Sequence, residues 1–388
     1  MTTRLYLTSL IAVLCWQNAV SAQILPPGAV PIHRAGPYSF TEGPLYDGSG
    51  GILFTNLTFG NLNNSDILRY DIAGGTTQNL VPASGGANGL YRDQNGKIIS
   101  MDGGTRRVSR RSPLDLNTIE QVLASLFNGA QFNSPNDVVI DATGGIYFTD
   151  PDYNTNLSQP ESVYYIDPAG ALTRILTGFA ANARPNGIAL SPDQSKLYVA
   201  LQALGQIMSY DVTSPGVVAN GSLFAIPGVS GPDGMTIDAL GNLYGAVQNA
   251  VYVWNPAGVK LFEIPMPQNP TNVEFGPDGD TLYITAGNAL YSILLDVPDL
   301  PSADFDIDGD VDGQDFLAWQ RNFGIASGAE KSQGDANNDG SVNGSDLEVW
   351  QEQYGTNEAL QALSVPEPAT FGLLGTILIW LASRRSGQ

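Results

Sequence analysis

The sequence predicts an all-β fold, a six-bladed β-propeller over residues 24–298, with a small α-helical calcium-binding module after it at residues 304–355. Three observations predict this. A polar residue followed by an apolar strand recurs six times, at Glu42, Asn88, Asn136, Asn186, Asp233 and Asn272, with intervals of 46, 48, 50, 47 and 39 residues. Each unit runs through a Gly- or Asp-bearing turn into a second strand, and usually a third, rich in β-branched and aromatic residues. After residue 300 the pattern changes to an acidic loop and an amphipathic stretch, present twice.

Repeats of about 40–50 residues with three or four strands each are the mark of a propeller; the same repeats stacked in a line would form a solenoid. The units open with "EGPLYD", "NGLYRD", "NDVVID", "NGIALS", "DGMTID" and "NVEFGP". Their second strands are "GILFT", "KIISM", "GIYFTD", "KLYVA", "NLYGA" and "TLYITA", and third strands include "DILRYD", "SVYYID" and "QIMSYD". Only "NTIEQVLASLF" (117–127) stands out as a helix before residue 300.

In a propeller the innermost strand of each blade runs along the central channel, so the residue that starts it lies at the channel mouth. All six such residues carry a side-chain oxygen. Taken singly, Asn-Gly and Asp-Gly are turn pairs. A turn requirement does not ask for an oxygen donor at the same place in all six blades. A ring of neutral and anionic oxygens suits a hard cation, Ca²⁺ before Mg²⁺ or Zn²⁺. The lone histidine, His33, near the start of the propeller, excludes a zinc site of several histidines and reads as a surface or packing residue. With no histidine within the six repeats, no Ser-His-Asp triad can be built there.

The ends and the charge bound the rest. Residues 1–22 read as a secretory signal peptide, with Arg4 before an apolar stretch and Val20-Ser21-Ala22 at the cleavage site. The only cysteine, Cys15, lies inside it, so the mature chain is expected to lack disulfides. The formal charge of −21 argues against nucleic acid. A net −11 of it falls between Asp304 and Glu358.

The propeller motifs resemble those of the gluconolactonase/regucalcin-like (senescence marker protein) lactonases: "TEGPLYD" (41–47), "ANGL" (87–90), "RRVSR" (106–110), "NSPNDVVIDATGGIYFTDPDY" (133–153), "RPNGIALSPD" (184–193), "GPDGMTID" (231–238) and "PTNVEFGPDGDTLYITA" (270–286). The resemblance implies one divalent cation at the channel mouth, held by Glu42, Asn136, Asn186 and Asp233, with Ca²⁺ expected and other divalent ions admissible. It implies hydrolysis of a sugar lactone or related ester, with Asp233 as the base that takes a proton from water. Asn88 and Asn272, which have no assigned metal role, are candidate substrate contacts. Two positions depart from the family: Gly103 stands where many bacterial members have histidine, and Ser134 where some have arginine. The cluster Arg106, Arg107, Arg110 and Arg111 reads as a solvated blade strand or as a contact to a sugar acid. A non-catalytic surface propeller that binds glycan or protein is the alternative function.

In the acidic block, "DFDIDGDVDGQD" places Asp304, Asp306, Asp308, Asp310 and Asp315 in one calcium loop, and "DANNDGSVNGSD" places Asp335, Asn337, Asp339, Ser341 and Asp346 in a second, 31 residues on. Phe316, Trp319 and Phe323 recur in register as Leu347, Trp350 and Tyr354. This resembles a type I dockerin, which implies two further Ca²⁺ ions and either a cohesin-like partner or a calcium-stabilised spacer. Residues 364–388 hold a PEP tripeptide, a short apolar run and Arg384-Arg385, and resemble a PEP-CTERM sorting signal. That implies transient membrane anchoring, an exosortase-type processing enzyme and a cell surface rich in polysaccharide, with the protein extracellular or surface-attached.

Overall fold

The computed structural model describes residues 25–153, 159–229, 231–277, 279–296, 302–306, 311–337 and 340–355. The signal peptide and sorting tail read from the sequence lie outside these residues, as do Asp308, Asp310 and Asp339. The chain divides into two compact units, with the boundary between Pro298 and Asp299.

The first unit is a six-bladed propeller, as the repeats predict. Six four-stranded antiparallel sheets follow one another along the chain. Their inner strands are Thr41–Tyr46, Ala87–Arg92, Val138–Ile140, Pro185–Leu190, Met235–Ile237 and Pro270–Phe275, and each touches the next round to a closed ring. The N-terminal strand Ile32–Ala35 is the outermost strand of blade 6, paired with Ala289–Leu294, and Arg34 Nε donates to Ser292 Oγ at 2.7 Å across that seam.

Hydrophobic burial is distributed between the blades. Six apolar clusters each join two consecutive blades, for example Leu53, Ile67, Leu90 and Ile98 between blades 1 and 2, and Tyr147, Val163, Ile188 and Val199 between blades 3 and 4. Sheets that pack face to face in this way need both faces apolar, which explains the near-continuous hydrophobic runs. The turn after the inner strand is tied by an aspartate. Asp47 Oδ1 accepts from the N–H groups of Ser49 and Gly51, Asp93 Oδ1 from Asn95 and Lys97, and Asp141 Oδ1 from Thr143 and Gly145. The Asp that ends the inner strand in these blades is thus turn chemistry.

The glycines after the channel residues have a different cause from the turn pairing read in the sequence. A Cβ on Gly43 would lie 2.1 Å from Asn88 O, on Gly89 2.6 Å from Asn136 O, on Gly187 2.1 Å from Asp233 O, and on Gly234 1.9 Å from Asn272 Cγ. Each faces the start of the next blade, where inner strands converge too closely for a side chain.

Two expectations are corrected. Residues 117–127 are not helical: Ile119–Ala124 is the outer strand of blade 2 and Leu126–Phe127 pairs with Ala130–Gln131. The helical spacing of the apolar residues lost to the open hydrogen-bonding edge of Arg107–Arg111. Three of the four clustered arginines pair within blade 2 rather than standing free on a solvated face. Arg111 is 1% exposed and donates to Asp102, Ser100 Oγ, Leu116 O and Ser84 O, while Arg107 pairs with Asp102 and Arg110 with Asp93.

Among its described residues, the second unit holds two α-helices, α1 (Gly313–Asn322) and α2 (Gly344–Gln353). They obey the internal repeat closely. Asp312 and Asn343 cap them, each in a capping box with Asp315 or Asp346. Trp319 Nε1 donates to Asn343 O at 2.8 Å and Trp350 Nε1 to Asp312 O at 2.9 Å, so each half closes the helix start of the other.

Candidate metal centre

Glu42, Asn186 and Asp233 come together at the channel mouth from blades 1, 4 and 5. Glu42 is 6% exposed. Burial pushes its carboxyl well above the usual range, and the negative charges of Asp233 and Asp137 push it further. Asp233 is raised to about 8, by burial first and then by Asp137; the amides of Gln202 and Asn186 oppose the rise. Its Oδ2 accepts from Gln202 Nε2 at 3.0 Å, whereas its Oδ1 is buried without a hydrogen-bond partner. Two acids held together at the channel mouth, with one buried oxygen left unpaired, are unfavourable on their own. These residues fit a divalent cation, whose charge would offset both acids and whose coordination would satisfy Oδ1.

Asn186 contributes an oriented amide. Its Nδ2 donates to Tyr153 OH at 2.8 Å, which leaves Oδ1 as the end available to a cation. Asn136 is buried at the matching place in blade 3, where its N–H donates to Thr149 O at 2.9 Å and its carbonyl accepts from Gly89 N–H at 2.7 Å. The two candidate substrate contacts are placed differently. Asn88 is half-buried, with its carbonyl accepting from Thr55 Oγ1 at 3.2 Å. Asn272 is turned inward: its Oδ1 accepts from Val273 N–H at 2.8 Å and its side chain hydrogen-bonds Asp137.

Three residues escaped the sequence reading. Asp137 occupies the position that four other blades give to glycine, and burial lifts its carboxyl to about 7. It lines a cavity of about 350 Å³ further along the channel with Tyr91, Thr236 and Glu274. Tyr153 and Gln202 reach the centre from blades 3 and 4, and Tyr153 OH donates to Gln202 Oε1 at 2.6 Å. Beside Asp233 a second cavity of about 690 Å³ opens at the mouth, lined by Phe40, Gln202, Ile226, Val229 and Gln248 among others. Of the two family departures, Gly103 lies against Ser134: a Cβ there would be 2.9 Å from Ser134 Oγ. The Ser134 N–H donates to Asp150 at 2.7 Å.

In the second unit, Asp304, Asp306 and Asp315 bring carboxylate oxygens within 4.8 Å of one another. Asp315 is fixed by the N–H groups of Phe305 and Asp312, at 2.6 and 2.8 Å. Asp346 is fixed likewise by Ala336 and Asn343, at 2.9 and 2.8 Å. Asp335 is buried and its Oδ2 accepts from Gly340 N–H at 2.8 Å. Asn337 and Ser341 lie on the same second loop.

Residues 40–288 match the SMP-30/Gluconolactonase/LRE-like region, and residues 302–352 the dockerin type I domain. Over 223 residues the chain is 36% identical to a gluconolactonase of Zymomonas mobilis, covering 52% of this chain and 61% of that protein. Lactonase drp35 of Staphylococcus saprophyticus is 34% identical over 167 residues, covering 39% of this chain and 50% of the relative. The chain therefore spans between half and two thirds of these two curated relatives. A gluconolactonase structure from Xanthomonas campestris superposes with a TM-score of 0.65 at 24% identity, over 71% of this chain and 93% of that one.

Proposed function

Since the chain belongs to the SMP-30/gluconolactonase/LRE-like family and carries a dockerin type I domain, we propose that it is a calcium-dependent hydrolase of lactones, a sugar lactone first among them. The observation that carries this is the pair of buried Glu42 and half-buried Asp233 at the channel mouth, with the Oδ1 of Asp233 buried and unpaired.

Glu42, Asn136, Asn186 and Asp233 would hold the cation. When bound, it supplies a Lewis acid that polarises the lactone carbonyl. The substrate ring sits in the cavity beside Asp233. Asp233 takes a proton as the water oxygen bonds to the carbonyl carbon. The ring C–O bond then breaks, and the same proton goes to the departing ring oxygen, giving the open hydroxy acid. The amides of Asn136 and Asn186 bring oxygen without charge, so two carboxylates and two amides balance a divalent ion.

We further propose that the protein is exported, and that its dockerin module binds two Ca²⁺ and docks a cohesin-type partner. Phe323 and Tyr354, equivalent residues just after α1 and α2, are 59% and 58% exposed, which supports a docking role. Processing by an exosortase-type enzyme and surface polysaccharide belong to the same proposal. The test of the catalytic reading is hydrolysis of glucono-1,5-lactone, aryl esters and phosphotriesters by the full chain, with and without calcium. Turnover of a lactone that disappears on chelation and returns with calcium supports it. No turnover of any substrate at full metal occupancy refutes it, and leaves the surface-binding propeller in its place.

A further inference from the structure

We propose that Gln202 and Tyr153 form a positioning relay that selects which oxygen of Asp233 does the chemistry; this rests on the lactonase reading above. The relay has four members and one polarity. Asn186 Nδ2 donates to Tyr153 OH at 2.8 Å. Tyr153 OH donates to Gln202 Oε1 at 2.6 Å, and Gln202 Nε2 donates to Asp233 Oδ2 at 3.0 Å. Each bond dictates the next. With the tyrosine oxygen accepting from Asn186, its hydrogen points to Gln202. With Gln202 Oε1 accepting, its Nε2 points to Asp233.

The backbone holds the central amide in place. Gln202 opens the single 3-10 turn Gln202–Leu204 that follows strand Lys196–Leu201, and its N–H donates to Arg184 O at 3.0 Å. A Cβ on Gly231 would lie 3.0 Å from Gln202 Cγ, so the stem of Gln202 packs on the loop that carries Asp233. Arg184, two residues before Asn186, lies over the Tyr153 ring at 5.4 Å and pairs with Asp152 at 3.1 Å, which limits ring movement.

The consequence is an asymmetric carboxylate. Oδ2 is occupied by the amide hydrogen of Gln202. Oδ1 is buried and unpartnered, and is the oxygen presented to the cation and to the reacting water. The same relay engages Nδ2 of Asn186, so the amide ligand and the base are oriented by one chain of hydrogen bonds. Neither Gln202 nor Tyr153 needs to touch the reacting atoms.

The test uses the full chain with Gln202→Ala, Gln202→Glu, Tyr153→Phe and the double variant Gln202→Ala/Tyr153→Phe. Gln202→Glu keeps length and the acceptor for Tyr153 but removes the donor. The expected result is that kcat falls about 10–100-fold in both Gln202 variants, with KM changed less than about threefold, since a misplacement near 1 Å costs about that much. Tyr153→Phe falls less, and the double variant is no slower than Gln202→Ala, because Tyr153 acts only through Gln202. Crystal structures of the calcium-free proteins supply a readout apart from activity: Asp233 has one rotamer in the wild type and more than one in Gln202→Ala and Tyr153→Phe. Wild-type turnover in Gln202→Glu, additive losses in the double variant, or an unchanged Asp233 rotamer overturns the relay. A wild type that hydrolyses no lactone refutes the lactonase reading instead, and the rotamer comparison still decides whether the relay positions Asp233. If Gln202→Ala does not fold, Tyr153→Phe carries the same comparison.

Discussion

Gly187→Ala tests whether the metal centre is positioned by contact between adjacent inner strands. The new methyl carbon would sit 2.1 Å from Asp233 O, 3.0 Å from its carbonyl carbon and 3.0 Å from Gly234 Cα. Ordinary contact begins near 3.4 Å, so the Asp233 peptide must retreat by about 1.3 Å. It has nowhere easy to go. Asp233 N–H donates to Ala246 O and Gly234 N–H to Thr271 O, both at 2.8 Å, which pins that peptide to its own blade and to blade 6. Overpacking a closed site of this kind costs about 1–3 kcal/mol. For a propeller of this size each kcal/mol lowers Tm by about 2–4 °C. A displacement near 1 Å at the base lowers kcat/KM by about 10²-fold. Differential scanning fluorimetry and lactone kinetics, both in saturating calcium, measure the two effects. Gly344→Ala is the control, since a Cβ there meets nothing within 4 Å. If Gly187→Ala melts and turns over like the wild type, the close approach does not position Asp233 and the argument from convergence fails.

Asp233→Asn keeps an oxygen and nearly the same volume, so turnover should fall about 10²–10⁴-fold while calcium affinity, read by calorimetry, falls less; equal turnover would remove Asp233 as the base. Glu42→Gln should do the reverse, losing calcium affinity first and regaining part of its activity at high calcium. Chelation should alter the emission of Trp319 and Trp350, whose indoles close the two helix starts beside the calcium loops, and leave the propeller's far-ultraviolet β signal in place; unchanged emission would count against the second unit's calcium sites. Glu274 supplies a pH test. Burial, and then the Asp137 charge, raise its carboxyl to about 8 in the folded chain, against about 4.3 when unfolded. The folded state therefore holds the proton more tightly, and the stability this confers is present below about pH 4.3 and is lost as the pH rises toward 8. Glu274→Gln cannot ionise, so its Tm relative to wild type should climb between pH 5 and 9; a flat difference would show that Glu274 does not carry this proton.

Period made the propeller legible, and the oxygen count picked out its candidate metal residues, because both are repeated in the chain. The six channel residues could be aligned without knowing the fold. The glycines beside them were visible but misattributed: Asn-Gly reads as a turn until the next blade's carbonyl is seen 2.1 Å from where a Cβ would go. Residues 117–127 misled because Ile119, Val122, Leu123 and Leu126 fit a helical face as well as a strand, and only the edge of blade 2 decides between them. Arg111 gave no sign of burial, since its partner Asp102 belongs to the preceding strand of the same sheet. Tyr153 and Gln202 carried no motif. Their hydrogen bonds at the centre span 31 to 49 residues, and only the packing of consecutive blades 3, 4 and 5 brings those partners together.

The seam in blade 6 gives the ring a property that its repeated blades lack. Arg34 and Ser292 lie 258 residues apart in sequence, yet they share one sheet. A chain folding blade by blade therefore carries a three-stranded sixth sheet until its own beginning returns to cover Ala289–Leu294. Until then that strand is a bare template for any extended segment nearby, including the same segment of another copy. The entropic cost of joining segments so distant grows only slowly with their separation, about 0.6 kcal/mol for each doubling, so closure costs only a little more than in a much smaller ring. Once closed, the barrel of blades has no end blade from which to fray. The four residues Ile32–Ala35, paired with Ala289–Leu294, are the latch that closes the sixth sheet.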